Sequence, residues 1–291
     1  MYAAKERRAG CEMYATEHDH YDPARLTLVA ELRRAIDHRE LELHYQPMAS
    51  AQNGHIRGME ALVRWRHPEH GLIFPDQFIP LAEHTGLIRP LTAYVLDAAL
   101  AQCRQWHESG RGLFVSVNLS AQSLLDVHFP QEVEALLAKW HVPAPWLKLE
   151  LTESSIMSDP VRALRVLTKL SAMRLSLSID DFGTGYSSFA YLRRLPVNTL
   201  KIDRSFVMGM KNDDNDEVIV QSIVDLGRNL GLETVAEGVE DQTTWDSLAR
   251  FGCDIAQGYY LSRPMPPESI DGWLSAWASR IPELGNALPI A

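Results

Sequence analysis

The chain has 291 residues, of which 46% are hydrophobic and 23% charged, a balance that fits a soluble globular protein with room for one α/β barrel or two smaller domains. A formal net charge of −10 excludes a surface that holds nucleic acid through clustered Lys and Arg, while leaving room for a small anionic ligand held by metal ions. Cys11, Cys103 and Cys253 share no CxxC spacing, which excludes a disulfide framework or zinc site and reads as reduced, cytoplasmic thiols; no apolar run approaches the roughly 20 residues that span a bilayer, and no membrane contact by this chain is expected.

A helix from about Arg25 to His38 leads into the first strand, LELHYQPM at 41–48, so residues 1–40 precede the main repeat. Further strands are predicted at 57–65, 113–119, 147–153, 174–181, 197–203, 233–239 and 253–261. Between them, apolar residues return every three or four positions over Leu91–Glu108, Val161–Ala172, Glu217–Leu230 and Thr243–Phe251, the mark of amphipathic helices. Eight strands with intervening helices predict an α/β fold of the (β/α)8, TIM-like class. A doubly wound open sheet is the alternative, but it needs a glycine-rich phosphate loop after an early strand, and none follows. The barrel is placed at 23–279; after Trp277 the stretch RIPELGNALPIA has no amphipathic period and is expected to fray as a tail over 280–291.

Four of the predicted strands break on acids: Glu60, then Glu150 and Glu153, then Asp180 and Asp181, then Glu237 and Glu240. Strand alternation puts Glu60, Leu62 and Arg64 on one face, and likewise Phe114, Ser116 and Asn118, then Lys148, Glu150 and Thr152, then Ser176, Ser178 and Asp180. Such small polar faces suit a barrel interior that opens on a site at the strand carboxyl ends. Seven carboxylates meeting only Lys201 and Arg64 as the main cations would push several pKa values up, and divalent ions relieve that imbalance. Any single acid here is more often a solvated rim residue, but the repetition of hard oxygen donors on five strands favours Mg²⁺, Mn²⁺ or Ca²⁺. An ideal strand sends Asp180 and Asp181 to opposite faces; the glycines of DDFGTG are expected to turn the chain so that both face the metals.

Other motifs are weaker. Asp181-Phe182-Gly183 spells the DFG of protein kinases, but no HRD loop or glycine-rich loop before a VAIK strand accompanies it. Gly183-Thr184-Gly185 begins like a dinucleotide fingerprint, yet Ser188 stands where the third glycine belongs. His67 and His70 in RHPEHG lack zinc spacing and are read as solvated loop histidines.

Taken in order, the motifs resemble the EAL family of cyclic di-GMP phosphodiesterases over most of residues 25–278. They comprise YQP at Tyr45–Pro47, EAL at Glu60–Leu62, VNLS at Val117–Ser120, ELTES at Glu150–Ser154, DDFGTGYSS at Asp180–Ser188, LKID at Leu200–Asp203, AEGVE at Ala236–Glu240 and AQGYYLSRP at Ala256–Pro264. The resemblance implies a TIM-like barrel that hydrolyses cyclic di-GMP to linear pGpG with a water activated by two ions, Mg²⁺ or Mn²⁺, with Ca²⁺ inhibitory. By the same resemblance Glu60, Asn118, Glu150 and Asp180 bind one ion, Asp180, Asp181 and Glu237 the other, and Asp180 bridges them. Lys201 stands beside the water, with a pKa that nearby metal ions would lower; a counter-ion for the acids is its other reading. Glu153 braces the loop after Asp181, Glu240 and Gln257 support water and lysine, Arg64 meets a substrate phosphate, and Gln46, Leu62 and Asp203 are further ligand contacts. No acid of the set is missing, which favours an active hydrolase over the alternative, a receptor that binds cyclic di-GMP without cleaving it and signals through a partner. MYAAKERRAG at Met1–Gly10 is similar to the last helix of a GGDEF diguanylate cyclase domain, so 1–22 is expected to be the remnant and linker of an upstream GGDEF-like domain in a longer parent, whose upstream segments could include sensory parts and a membrane anchor, and a homodimer is expected through the loop at Asp181–Ser188.

Overall fold

The structure, a computed structural model, describes residues 23–185, 192–211 and 213–281. The predicted remnant at 1–22, part of the loop at Asp181–Ser188 and most of the tail at 280–291 lie outside the described residues. A helix over Pro23–Asp37 leads in, with Leu32, Ala35 and Ile36 on its buried side. The strands are β1 (Leu41–Ser50), β2 (Ile56–His67), β3 (Gly71–Ile73), β4 (Phe114–Asn118), β5 (Leu147–Thr152), β6 (Ser176–Phe182), β7 (Thr199–Ile202), β8 (Glu233–Ala236) and β9 (Ile255–Gln257). Strands β2 and β4 to β9 pair in parallel, and β1 closes the barrel between β9 and β2.

Eight strands thus close the predicted barrel, with one departure from uniform βα repetition. Strand β1 runs antiparallel to both neighbours, because only a short turn separates it from β2 and so short a connection makes a hairpin rather than a crossover. The sequence RHPEHG is also a hairpin turn, joining β2 to the short β3 outside the barrel. His67 is therefore not solvated, as the sequence reading had it. It is 2% exposed, its Nε2 faces Glu31 of the lead-in helix at 3.1 Å, and its Nδ1 accepts from the backbone N–H groups of Glu69 and His70. His70 is exposed, as expected of a loop residue.

Most of the core lies between barrel and helices, where alternate strand residues such as Val115, Val117, Leu149, Leu151, Leu177 and Ile179 are buried. Inside the barrel, Met48, Val235 and Ile255 pack with Phe114 as a small apolar floor. Several strands run straight into capped helices, which fixes where their carboxyl ends point. Ser120 after β4 accepts from Ser123 N–H, Thr152 at the end of β5 from Ser155 N–H, and Asp203 after β7 from Ser205 N–H.

Candidate active site

Above the apolar floor, four strands deliver carboxylates to a single ammonium group. Lys201 Nζ on β7 lies 2.6 Å from Glu150 Oε2, 2.5 Å from Glu237 Oε1, 3.2 Å from Asp180 Oδ1 and 3.9 Å from Glu60 Oε2. Lys201 and Glu150 are each 1% exposed and Glu60 6%. Burying charges at this density is costly unless each has partners. Glu60 therefore accepts from Asn118 Nδ2 at 2.6 Å and from Gln257 Nε2 at 2.5 Å, and Glu150 Oε1 accepts from the Ser116 hydroxyl at 2.5 Å.

Four acids against one cation leave an excess of negative charge, and the pKa values show it. Burial pushes Glu150 up to about 8, with Glu60 and Asp180 adding to the rise against Lys201, and burial pushes Glu237 up to about 7. For Glu60 burial acts in the same upward sense, but Lys201 and the amides of Gln257 and Asn118 outweigh it and hold the carboxyl below its ordinary value. Lys201 is raised well above its ordinary value: burial alone would lower it, and the surrounding carboxylates overcome that. In this arrangement Lys201 is the counter-ion of the acids, one of its two readings from the sequence; the other, a lowered lysine, depends on metal ions beside it.

Strand β6 solves the problem of adjacent aspartates. Its pairing with β7 shifts register between Ile179 and Phe182, and Asp181 takes a left-handed backbone with φ of 53°. The turn was expected from the glycines that follow; Gly183 does take a positive φ of 103°, and Asp181 joins it. As a result the carboxylate oxygens of Asp180, Asp181 and Glu237 lie within 4.8 Å of one another, a spacing that a metal ion can bridge. Burial raises the Asp181 carboxyl to about 6, helped by Asp180 and by its hydrogen bond with Asp203, whose own carboxyl is held low chiefly by Ser205 against its burial. These hard oxygen donors and their charge excess fit divalent cations. Among the described residues that triad is the one group of three such side chains at ligand spacing; Glu60 and Glu150 are joined instead through Lys201.

The remaining predicted residues take several positions. Gln46 accepts from Gln257 Nε2 at 3.1 Å and donates to Ser262 O, which ties β1 to the acid cluster. Gln257 reaches Glu60 from the end of β9, and at the next residue, Gly258, the backbone passes so close to Val239 that a Cβ would stand 2.1 Å from Val239 O. Glu153 stands apart from the acids and close to Gly185, where a Cβ would be 2.8 Å from its Oε1, and its Oε2 is buried without a hydrogen-bond partner among the described residues. Arg64 is 7% exposed, donates to Val63 O and lies with its guanidinium 5.3 Å from the Phe74 ring centre. Asp203 caps the Arg204–Gly209 helix, and Glu240 is exposed at the rim.

Two cavities meet at this mouth. One, of about 440 Å³, is lined by Gln46, Glu60, Asp180, Glu237, Glu240 and Tyr259, among others. The other, of about 520 Å³, is mostly apolar and is walled by residues including Pro75, Ile79, Leu91 and Val95; Leu62 and Asn118 line both. Sequence reasoning set Ser116 on the inward polar face without giving it a role, and passed over Arg204, Met208 and Tyr259. A role for Ser116 was detectable, since alternation sets it on the inward face between the strands of Glu60 and Glu150, whereas the rim residues depend on loop paths that no periodicity encodes.

The chain is similar to the bifunctional diguanylate cyclase/cyclic di-GMP phosphodiesterase MucR of Pseudomonas aeruginosa, 46% identical over 272 residues that cover 93% of this chain and 40% of MucR. It is 37% identical to the cyclic di-GMP phosphodiesterase PA2567 of the same organism, over 93% of this chain and 46% of that protein. The chain thus spans under half the length of these curated relatives. Its fold superposes on a solved structure described as PaMucR phosphodiesterase in complex with c-di-GMP with a TM-score of 0.81 and 48% identity, covering 84% of this chain and 99% of that one. Among the described residues no helix is long and apolar enough to cross a membrane. The model of the EAL domain matches residues 29–264, a span that holds the whole barrel and every acid of the cluster, and the chain belongs to the EAL domain family.

Proposed function

We propose that this chain is a metal-dependent phosphodiesterase that hydrolyses cyclic di-GMP to the linear dinucleotide pGpG. The observation that carries the reading is the complete acid cluster: Glu60, Glu150, Asp180 and Glu237 about Lys201, with Asp181 turned in beside Asp180 and Glu237. In this reading Glu60, Asn118, Glu150 and Asp180 hold one divalent ion and Asp180, Asp181 and Glu237 the second. With Mg²⁺ or Mn²⁺ held there, the site would gain Lewis-acid charge for the phosphodiester and a lowered pKa for a bound water.

The chain's own residues do the rest. Lys201, whose ammonium lies within 2.6 Å of Glu150 and Glu237, is placed to orient the attacking water or to help its deprotonation. Arg64, buried on the strand of Glu60 and outside the lining of both cavities, is assigned to a phosphate oxygen, which its guanidinium would reach by leaving Val63 O. Gln257 and Gln46 keep Glu60 in place, and Glu240 supports the water side from the rim. The apolar cavity beyond Leu62 gives a flat base somewhere to leave water. Glu153 holds the turn at Gly185.

The test is incubation of the purified chain with cyclic di-GMP and saturating Mg²⁺ or Mn²⁺, with products separated by chromatography. The reading predicts pGpG that disappears with chelator and with excess Ca²⁺, whose larger, more flexible coordination spoils the site. Binding of cyclic di-GMP with no product under any metal would replace the enzyme by a receptor.

A further inference from the structure

Strand β4 lies between β2 and β5, the strands that carry Glu60 and Glu150. Its two successive inward side chains reach in opposite directions. Asn118 Nδ2 donates to Glu60 Oε1 at 2.6 Å on one side, and Ser116 Oγ donates to Glu150 Oε1 at 2.5 Å on the other. Ser116 is 0% exposed, so no water competes for its hydroxyl, and the bond leaves Glu150 Oε2 turned to Lys201 Nζ at 2.6 Å. The barrel interior does not impose such a bond on every small polar residue. Ser178 on β6 and Thr199 on β7 are equally buried, and their hydroxyls have no hydrogen-bond partner among the described residues.

We infer that Ser116 is a positioning residue for metal binding: by fixing one oxygen of Glu150 it keeps the other, which rests on Lys201 Nζ, directed into the acid cluster where an ion would take it up. The inference rests on the reading of the acid cluster as a metal site. A buried carboxylate with one oxygen fixed loses less rotamer freedom when it takes up an ion, and a hydrogen-bonded ligand keeps its orientation; loss of such outer partners typically weakens metal binding by about 10–100-fold.

The experiment is titration of Mn²⁺ into the metal-free full chain without substrate, reading free Mn²⁺ by electron paramagnetic resonance. Ser116→Ala is expected to bind Mn²⁺ about 10–100-fold more weakly than the parent, at the same stoichiometry. Ser178→Ala, which removes an equally buried hydroxyl that holds no acid, is expected to bind like the parent. At saturating Mn²⁺, Ser116→Ala should recover most of its kcat with KM for cyclic di-GMP unchanged, a pattern that general loss of structure would not give. Should Ser116→Ala fail to fold, Ser116→Cys, of similar shape and a weaker donor, provides the same comparison. Equal Mn²⁺ affinity in parent and Ser116 variant, or equal weakening by Ser178→Ala, would overturn the role of Ser116. Failure of the parent to bind Mn²⁺ would overturn the metal reading itself, and this inference with it.

Discussion

At Lys201 one side chain carries two demands, since it neutralises four acids and sits where the chemistry is proposed. In the proposed role its replacement by Ala would remove a donor to the reacting water, and loss of one preorganised donor costs about 10²–10³-fold in turnover. Lys201→Ala is therefore predicted to lower kcat by about that factor at saturating Mn²⁺, with binding of cyclic di-GMP changed only a few-fold. Steady-state kinetics check this; a large rise in the dissociation constant with kcat held would make Lys201 a phosphate contact instead. The acids were legible in the sequence because alternation and the repeated strand endings pointed to one face. Their charge states were not, since those depend on how deeply each side chain is buried and on which partner reaches it. Glu60 and Glu150 are both buried acids beside Lys201, yet one is held low by two amides and the other is pushed up to about 8.

Among elements, the lead-in helix, four of the helices between strands and most strands were readable from periodicity, as at Asp214–Leu230 and Pro160–Ala172, which begin within three residues of their predicted starts, whereas the helices at Pro75–Thr85, Phe129–Trp140 and Pro267–Ala278 were not singled out. What periodicity could not show is direction. The antiparallel β1 and the β2–β3 hairpin follow from connection length and long-range pairing, and neither leaves a pattern within its own strand. His67 illustrates the cost of missing the hairpin. Its ring joins the lead-in helix to the end of β2 through Glu31, and it takes the N–H groups of Glu69 and His70. His67→Ala leaves these groups without their partner, so it is predicted to destabilise the fold by about 1–3 kcal/mol while kcat stays near that of the parent. Urea unfolding followed by kinetics on the folded fraction checks this; unchanged stability would show that the latch carries nothing.

Over the whole molecule, the raised carboxyls couple folding, protons and metal. Glu150 at about 8 and Glu237 at about 7 stand above their ordinary 4.5, and Asp181 at about 6 above 3.8. Between those pairs of values the folded, metal-free chain binds more protons at these groups than the unfolded one, so their contribution to stability falls as pH rises from about 4.5 to about 8. The thermal midpoint in chelator is predicted to drop over that window, and Mg²⁺ or Mn²⁺ to restore it by binding the deprotonated acids, with protons released on binding. A midpoint that is flat over that range, with and without metal, would refute the coupling. The expected homodimer stays a proposal, checked by light scattering for a particle of twice the 32.8 kDa chain; a monomer at working concentration would refute it. The most direct test of the central claim is pGpG formation from cyclic di-GMP by the parent and by Asp180→Ala, each in Mn²⁺ and in chelator. The proposed two-ion cluster predicts product only from the parent with metal, because Asp180 belongs to both proposed ion sets. Product at a comparable rate from Asp180→Ala, or from the parent in chelator, would contradict it.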